Sequence, residues 1–338
     1  MTTAFIDRLL PAPREGGFAM EGFWVWCGSV IRGEDDRCHM FAARWPKAYP
    51  FFQGYPTTSQ VVRAVADTPE GPYAFEEVVL GPRGSEYWDG RMTHNPTIHK
   101  SGDTYLLFYI GATFDGPSPS ADEIAAAGAF CAHPKTAQAY GNIRIGLATS
   151  KSVLGPWERS DEPILLPRPG KWDCQLVTNP APCVLPDGRI LLLYRSNTPQ
   201  GLRIGVALAD NFESAFRRVK DDPVLVLPEG FVEDPYVWWA GERYELIAKD
   251  CTGTITGEKG AGVHATVGPD LDFRLSTPPK AYSRRVLWDD GTVTVQGAFE
   301  RPQLLIEDGR PTHLFAATGD GPGGFNFTKT WNMCVPLR

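Results

Sequence analysis

NPTIHKSGDTYLLFYIG (95–111) decides the reading of this chain: a short apolar strand led by Asn-Pro, a tight Ser101-Gly102-Asp103 turn, then a second apolar strand. Asp and Gly in such a turn supply the backbone conformations of a β-hairpin. The phrase returns as GSVIRGEDDRCHMFAAR (28–44), NPAPCVLPDGRILLLYRS (179–196), DPYVWWAGERYELIAKD (234–250) and RPQLLIEDGRPTHLFAA (301–317). A looser second phrase, an alternating strand that often ends in Gly-Pro-aromatic, follows several copies, as in VVRAVADTPEGPYAF (61–75) and RIGLATSKSVLGPWE (144–158). Each unit therefore reads as a four-stranded antiparallel sheet. Open sheets in this number would expose many edges, and radial closure removes most of them. The expected fold class is all-β, a five-bladed β-propeller spanning 1–338 as one domain. Its innermost strands are expected near 26–32, 95–100, 179–185, 234–239 and 301–306. A β-sandwich does not explain five copies of one phrase.

Composition narrows the function. The 35 Gly and 30 Pro, spread over the chain, fit many turns between short strands. A net charge of −7 argues against nucleic acid, which rewards clustered Lys and Arg. No apolar run approaches the ~18 residues of a membrane helix. The seven cysteines form no C-x-x-C pair and no metal-ligand spacing. With an opening, MTTAFIDRLLPAPREGG, that lacks the apolar stretch of a signal peptide, they lead to an expectation of reduced thiols in a cytoplasm. Ten Trp, 11 Tyr and 18 Phe supply the core and leave aromatic faces that can stack on sugar rings. The Walker A, Rossmann, H-E-x-x-H and G-x-S-x-G patterns are missing, which argues against nucleotide enzymes, zinc peptidases and α/β-hydrolases.

Chain polarity locates a site. If each innermost strand starts at the top face, residues just before it converge on the channel mouth. Those positions collect Asp89, Asp173, Glu233, Asp234 and Glu300, with His94 the one histidine at such a start. The spacing W-D-x(5)-N-P occurs at 88–96 and at 172–180, which nominates Trp88, Asn95, Trp172 and Asn179 as substrate contacts. A duplicated structural corner would produce the same spacing. The long loops between second and third strands also belong at the top. Residues 45–58 offer Trp45 and Tyr55 as an aromatic platform, and 112–142 contain a short helix opened by Ser120 as N-cap. Residues 251–262 and 318–324 are Gly-rich. Arg83, Arg91, Lys171, Arg284 and Arg285 lie in top loops and suit an acidic group by charge-assisted hydrogen bonds.

The strand-leading Asn-Pro, Asp-Pro and Glu-Arg-Pro phrases, with A-x-S-x-x-x-x-G-P-W at 148–157, resemble the five-bladed glycosidase superfamily. That group holds glycoside hydrolase families 43, 32, 68 and 117 and the mannoside phosphorylases of family 130. The resemblance implies that Glu300 is the general acid, as in the Glu-Gly-Pro of family 43 and the Glu-Arg-Pro of levansucrases. It implies that Asp234 modulates the acid's pKa. Where family 43 would carry the base, this chain reads Asn95-Pro96, so the base falls to Asp89 first, then to Asp173 or His94; family 117 is similar in using a catalytic His. Glu233 and Arg301 join the substrate contacts. The expected activity is an inverting, exo-acting glycoside hydrolase on short oligosaccharides, whose two carboxyl groups would stand ~6.5–9.5 Å apart. No cofactor and no membrane or nucleic-acid partner is expected, although the resemblance allows a structural cation such as Ca²⁺ in the channel. Two alternatives stand beside it. One is a family 130-like phosphorylase, suggested by Glu233-Asp234-Pro235. The other is a non-catalytic glycan-binding propeller, favoured by Asn95.

Overall fold

The second strands of the hairpin phrases are mostly apolar because both of their faces are covered. In blade II, Leu106, Phe108 and Ile110 point one way, and Tyr105, Leu107 and Tyr109 the other. A strand's period of two sends alternate side chains to opposite faces, so each blade feeds two interfaces. The structure, a computed structural model, describes residues 3–227, 229–268 and 270–338. Its buried apolar residues fall into five inter-blade layers and a sixth, smaller cluster around Trp26, Trp45, Phe51 and Phe327. Phe41 of blade I meets Leu107 of blade II, Phe108 of II meets Leu192 of III, and Leu193 of III meets Leu246 of IV. Ile247 of IV meets Leu314 of V, and Phe315 of V meets Met40 of I. The last layer closes the ring. The protein is a five-bladed β-propeller.

Blades I to IV are four-stranded antiparallel sheets in simple chain order. Blade I comprises Phe23–Arg32, Cys38–Pro46, Gln60–Ala66 and Ala74–Leu80. Blade II comprises Met92–Ser101, Thr104–Ala112, Arg144–Ser150 and Glu158–Arg159. Blade III comprises Thr178–Val184, Ile190–Thr198, Gly201–Ala209 and Arg217–Arg218, and blade IV Val232–Trp239, Tyr244–Asp250, Gly262–Val267 and Phe273–Tyr282. Blade V departs from the expected four strands. It holds Ala298–Glu307, Arg310–Gly319 and Thr330–Pro336. Its outer edge is covered by the chain's opening segment, where Phe18 and Asn332 exchange both backbone hydrogen bonds, at 2.8 and 2.9 Å, and Leu9 bridges Leu337. A small extra hairpin, Arg285–Leu287 with Val293–Val295, sits between blades IV and V.

Three short helices cover one end of the ring. Helix α1 (Phe51–Thr58) occupies the segment expected as a loop, and α2 (Ala121–Ala127) begins at Ser120. The Ser120 hydroxyl accepts from Glu123 N–H while the Glu123 carboxylate accepts from Ser120 N–H, a capping box that satisfies two end donors. Helix α3 (Pro134–Gly141) follows. The bottom face carries the hairpin turns. No helix among the described residues is long and apolar enough to cross a membrane.

Candidate active site

Every innermost strand breaks its ladder at one point. The register slips between Trp26 and Ser29, His94 and Thr97, Glu233 and Tyr236, and Glu300 and Gln303, and in blade III around Asn179-Pro180. At each bulge one residue has left-handed backbone: Cys27 (φ 57°), Asn95 (50°), Asn179 (51°), Asp234 (55°) and Arg301 (53°). Asn and Asp tolerate this region better than other side chains, and the proline that follows in four blades sits where the bulge leaves no ladder partner for an N–H. The strand-leading X-Pro dipeptides are therefore bulges first. Their turned-in side chains meet in a ring around the channel. The Cys27 thiol, which burial raises well above its usual pKa, donates to Asn95 Oδ1 (2.8 Å). Asn95 Nδ2 donates to Asn179 Oδ1 (3.0 Å), and Asn179 Nδ2 to Asp234 Oδ1 (2.6 Å). Asp234 Oδ2 accepts from Arg301 N–H (3.2 Å), and the Arg301 guanidinium lies 3.5 Å from Asp234 Oδ1.

Above this ring opens a cavity of about 570 Å³. The residues that precede the bulges (Trp26, His94, Thr178, Glu233 and Glu300) line it, as chain polarity requires. Opposite each of them on the second strand lies a fixed slot, filled in turn by Ala43, Ile110, Arg195, Lys249 and Ala317. Two of the five slots hold cations, and these two organise the site. Lys249 Nζ stands 2.9 Å from Glu233 Oε2, 2.9 Å from Glu300 Oε1 and 4.0 Å from Asp234. Arg195 approaches Glu233 Oε1 at 3.4 Å.

The environments split the acids. Burial, reinforced by Asp234 and Glu233 and opposed by Lys249, raises Glu300 to about 7. Burial acts the same way on Glu233, but Lys249 and Arg195 overcome it and hold that carboxyl at about 2. Asp234 is raised by burial and by Glu233. Burial works against the charge on Lys249, yet Glu233, Glu300 and Asp234 keep its ammonium well above the usual value. One carboxyl is thus ready to donate a proton near neutral pH while its neighbour stays ionised, the pattern that assigns acid and base roles. Because both carboxylate oxygens lie 2.9 Å from a single Nζ, they are no farther apart than twice that distance.

His94 lies in the same cavity, stacked on Tyr55 at 4.7 Å, with Nδ1 on the Ser59 hydroxyl at 2.8 Å. Burial and Arg301 push its pKa down to about 3, so the ring is neutral. Tyr55 is half-buried and, with Phe52, Phe130 and Phe325, forms an aromatic wall; Phe52 stacks on Phe325 at 4.8 Å and on Phe130 at 4.3 Å. Trp45 does not serve as a platform. It is 1% exposed beneath α1, with its indole N–H donating to Phe51 O. Asn95 and Asn179 line the floor, their amides committed to the ring.

Asp89 and Asp173 are not bases, because neither reaches the cavity. Each is fully buried in a closed corner between a blade connector and an outer strand. Asp89 accepts from Arg83 Nε (2.6 Å) and the Tyr109 hydroxyl (2.7 Å), with Arg159 at 3.6 Å. Asp173 accepts from Arg168 Nε (2.9 Å), Arg218 Nε (2.7 Å) and the Tyr194 hydroxyl (2.8 Å). Trp88 stacks on Tyr109 and Trp172 on Tyr194, so neither indole is a substrate contact. The repeated W-D-x(5)-N-P spacing marks a duplicated scaffold. Nor does the ring fit a channel cation, since the Arg301 guanidinium already faces Asp234. Among the described residues no cluster of His, Cys, Asp and Glu could hold a metal.

Lys249 and Arg195 are the site residues that reading the sequence missed. Their signal was a charged residue ending an apolar second strand, in YELIAKD and LLLYRSN.

By sequence, no family model and no curated protein matches the chain. By structure it is similar to a family 117 glycoside hydrolase from the marine bacterium Zobellia galactanivorans, with a TM-score of 0.67 and 14% identity over 97% of this chain and 90% of that one. A thermostable family-43 glycoside hydrolase gives a TM-score of 0.62 at 15% identity, over 95% and 91% of the two chains. An α-L-arabinofuranosidase from Lactobacillus brevis gives 0.61 at 11%, over 99% and 94%. Likeness at these identities carries the fold.

Proposed function

We propose that the chain is a glycoside hydrolase acting at the channel mouth, with Glu300 as general acid and base and Glu233 as its ionised partner. The observation that carries this is the Glu300–Lys249–Glu233 bridge, which holds one carboxyl raised and the other lowered inside a cavity of sugar size. Inversion, expected from the resemblance, requires carboxyl groups ~6.5–9.5 Å apart to admit a water, whereas retention uses ~5–5.5 Å. The shared ammonium supports the shorter class. In the first step a Glu233 oxygen attacks the anomeric carbon as the glycosidic bond breaks, and Glu300 gives its proton to the departing oxygen. In the second, Glu300 takes a proton from water, the hydroxide oxygen bonds the anomeric carbon, and Glu233 leaves as carboxylate. Asp234, under both, raises Glu300; Tyr55 and Phe52 offer faces for the ring.

The substrate class proposed is a glycoside or short oligosaccharide, and the free thiols favour a reducing compartment. The test is a panel of 2-deoxy-2-fluoro aryl glycosides, read by intact mass and peptide mapping. Retention predicts a covalent adduct on the Glu233 peptide and a product of unchanged anomeric configuration. An inverted product without adduct would restore the single-displacement mechanism. A sugar 1-phosphate formed only with phosphate would point to phosphorolysis, and binding without turnover to a glycan-binding module.

A further inference from the structure

The chain is acidic overall, but its pocket is not. Three carboxyls line the cavity (Glu233, Asp234 and Glu300) against five cationic side chains: Arg195, Lys249, Lys259, Arg284 and Arg301. Lys249 and Arg195 face Glu233, and Arg301 faces Asp234. Arg284 and Lys259 are left over. Among the described residues neither has an ion pair; the one side-chain acceptor of Arg284 is the Gly297 carbonyl at 3.3 Å, and its buried Nε has no acceptor.

The backbone that carries the pair is held in place, with Lys259 exposed at the rim. Glu258, next to Lys259, accepts from Lys280 Nζ (3.1 Å), from the Ser283 hydroxyl (2.8 Å) and from Arg284 N–H (3.0 Å). That clasp joins the loop after blade IV's second strand to the connector before blade V. Its carboxylate pairs with Lys280 and with neither Lys259 nor the Arg284 guanidinium. The Arg284 side chain runs between glycines: a Cβ on Gly260 would lie 3.1 Å from its Cδ, and one on Gly323 3.4 Å from its Nη1. A side chain at position 260 would press on the Arg284 stem, and one at 323 would come into contact with its guanidinium. Those glycines, with φ +83° and +109°, also hold left-handed or neighbouring backbone that L side chains resist. A guanidinium fixed in this way presents a rigid fork matched to carboxylate or sulfate oxygens.

We propose that Arg284 and Lys259 form an oxyanion subsite that takes the acid group of an acidic sugar, a uronate carboxylate or a sugar sulfate, beside the Glu233–Glu300 centre. The proposal deepens the glycosidase reading and rests on it only for what is cleaved, since binding needs no glycosidic bond.

The experiment measures binding to the intact protein by calorimetry at low and high salt. The probes are glucuronate, galacturonate and galactose 6-sulfate, each beside its neutral parent, and inorganic phosphate alone. One or two charge-assisted hydrogen bonds should make the preferred acidic sugar about 10–100-fold tighter than its neutral parent. That preference should shrink with salt and be lost in Arg284→Met and in Lys259→Met, and Arg284→Lys should recover part of it. Thermal midpoints of all variants show that the fold is kept. Equal binding of acidic and neutral sugars, or a preference that survives both Met substitutions, overturns the subsite. Inorganic phosphate binding tighter than every acidic sugar, and losing affinity in Arg284→Met, overturns the acidic sugar and assigns the oxyanion to free phosphate. Loss of the hydrolase reading would appear elsewhere, as absent turnover with this preference intact.

Discussion

Two sets of carboxylates are buried in this propeller, and they are built for opposite ends. Asp89 and Asp173 each sit among two arginines and a tyrosine hydroxyl, with an indole stacked over the tyrosine. Every oxygen has its donors, and the group is locked. Glu233 and Glu300 keep 20% and 16% of their side-chain surface at the cavity, and with Asp234 they share Lys249; Arg195 adds a second cation to Glu233 and Arg301 one to Asp234, so Glu300 has only the shared ammonium. Burial and the neighbouring acids raise Glu300 to about 7, so its proton can exchange near neutral pH while Glu233 stays ionised. A closed hydrogen-bond set and complete burial together separate corner from site.

The comparison breaks first on Glu300→Gln. Removing the proton donor should lower kcat/KM, which reports the first step, about 10²–10⁴-fold on substrates with poor leaving groups, with far-ultraviolet dichroism unchanged and kcat/KM on aryl glycosides with good leaving groups affected much less. An equal loss on both would move the acid elsewhere. At the corners the effect should fall on stability. Asp173→Ala leaves Arg168 and Arg218 without their carboxylate and should cost about 3 kcal/mol in denaturant unfolding, while kcat per folded molecule stays at the wild-type level. A stable but inactive Asp173→Ala would return that residue to the chemistry.

Acidity sharpens the contrast. Activity should fall on the alkaline side near pH 7 as Glu300 loses its proton. Lys249→Met removes the cation that holds both glutamates down, so the alkaline limb and the acidic limb should both move to higher pH. The stability linkage has opposite signs for the two acids. Glu300, raised from 4.5 to about 7, makes the folded state lose stability as pH rises through that window. Glu233, lowered to about 2, contributes stability above 4.5 that is lost as pH falls toward 2. Glu300→Gln should flatten the first slope in thermal melts and leave the second. The smallest effect belongs to the aromatic wall. An apolar face on an aromatic adds about 0.5–1.5 kcal/mol, so Tyr55→Ala should raise KM about 2–10-fold with little change in melting. Trp45→Ala, by contrast, should chiefly lower the melting temperature.

What could be read from the sequence was whatever is local. Hairpin turns such as Ser101-Gly102-Asp103 act within a few residues, so five of them announced five blades. The Ser120 cap is equally local, and α2 starts where it stands. Asn95-Pro96 and Asp234-Pro235 were visible as motifs, but their meaning as left-handed bulges depends on the partner strand's register. The same dependence hid Lys249 and Arg195, since the slot they share exists only once Glu233 is paired with Lys249 and Thr178 with Arg195. Asp89 and Glu300 look alike in the sequence; only the arginines folded around one of them tell them apart.

Blade V's borrowed edge has a consequence in time. Arg8 and Arg338, whose guanidinium and carbonyl meet, are 330 positions apart, and Phe18 waits nearly as long for Asn332. During synthesis blades I to IV can each assemble as their own strands emerge, whereas the opening segment has no partner until Thr330–Pro336 appears. The ring then latches in one late step between the most distant parts of the chain. Contacts of such sequence separation form slowly because their loop entropy is lost before they reward it. Until that latch closes, the layer between Phe315 and Met40 is an open seam, and the channel mouth, which takes Trp26 from one side of it and Glu300 from the other, is unfinished. The cavity between Trp26 and Glu300 is therefore complete only when Thr330–Pro336 meets the segment around Phe18.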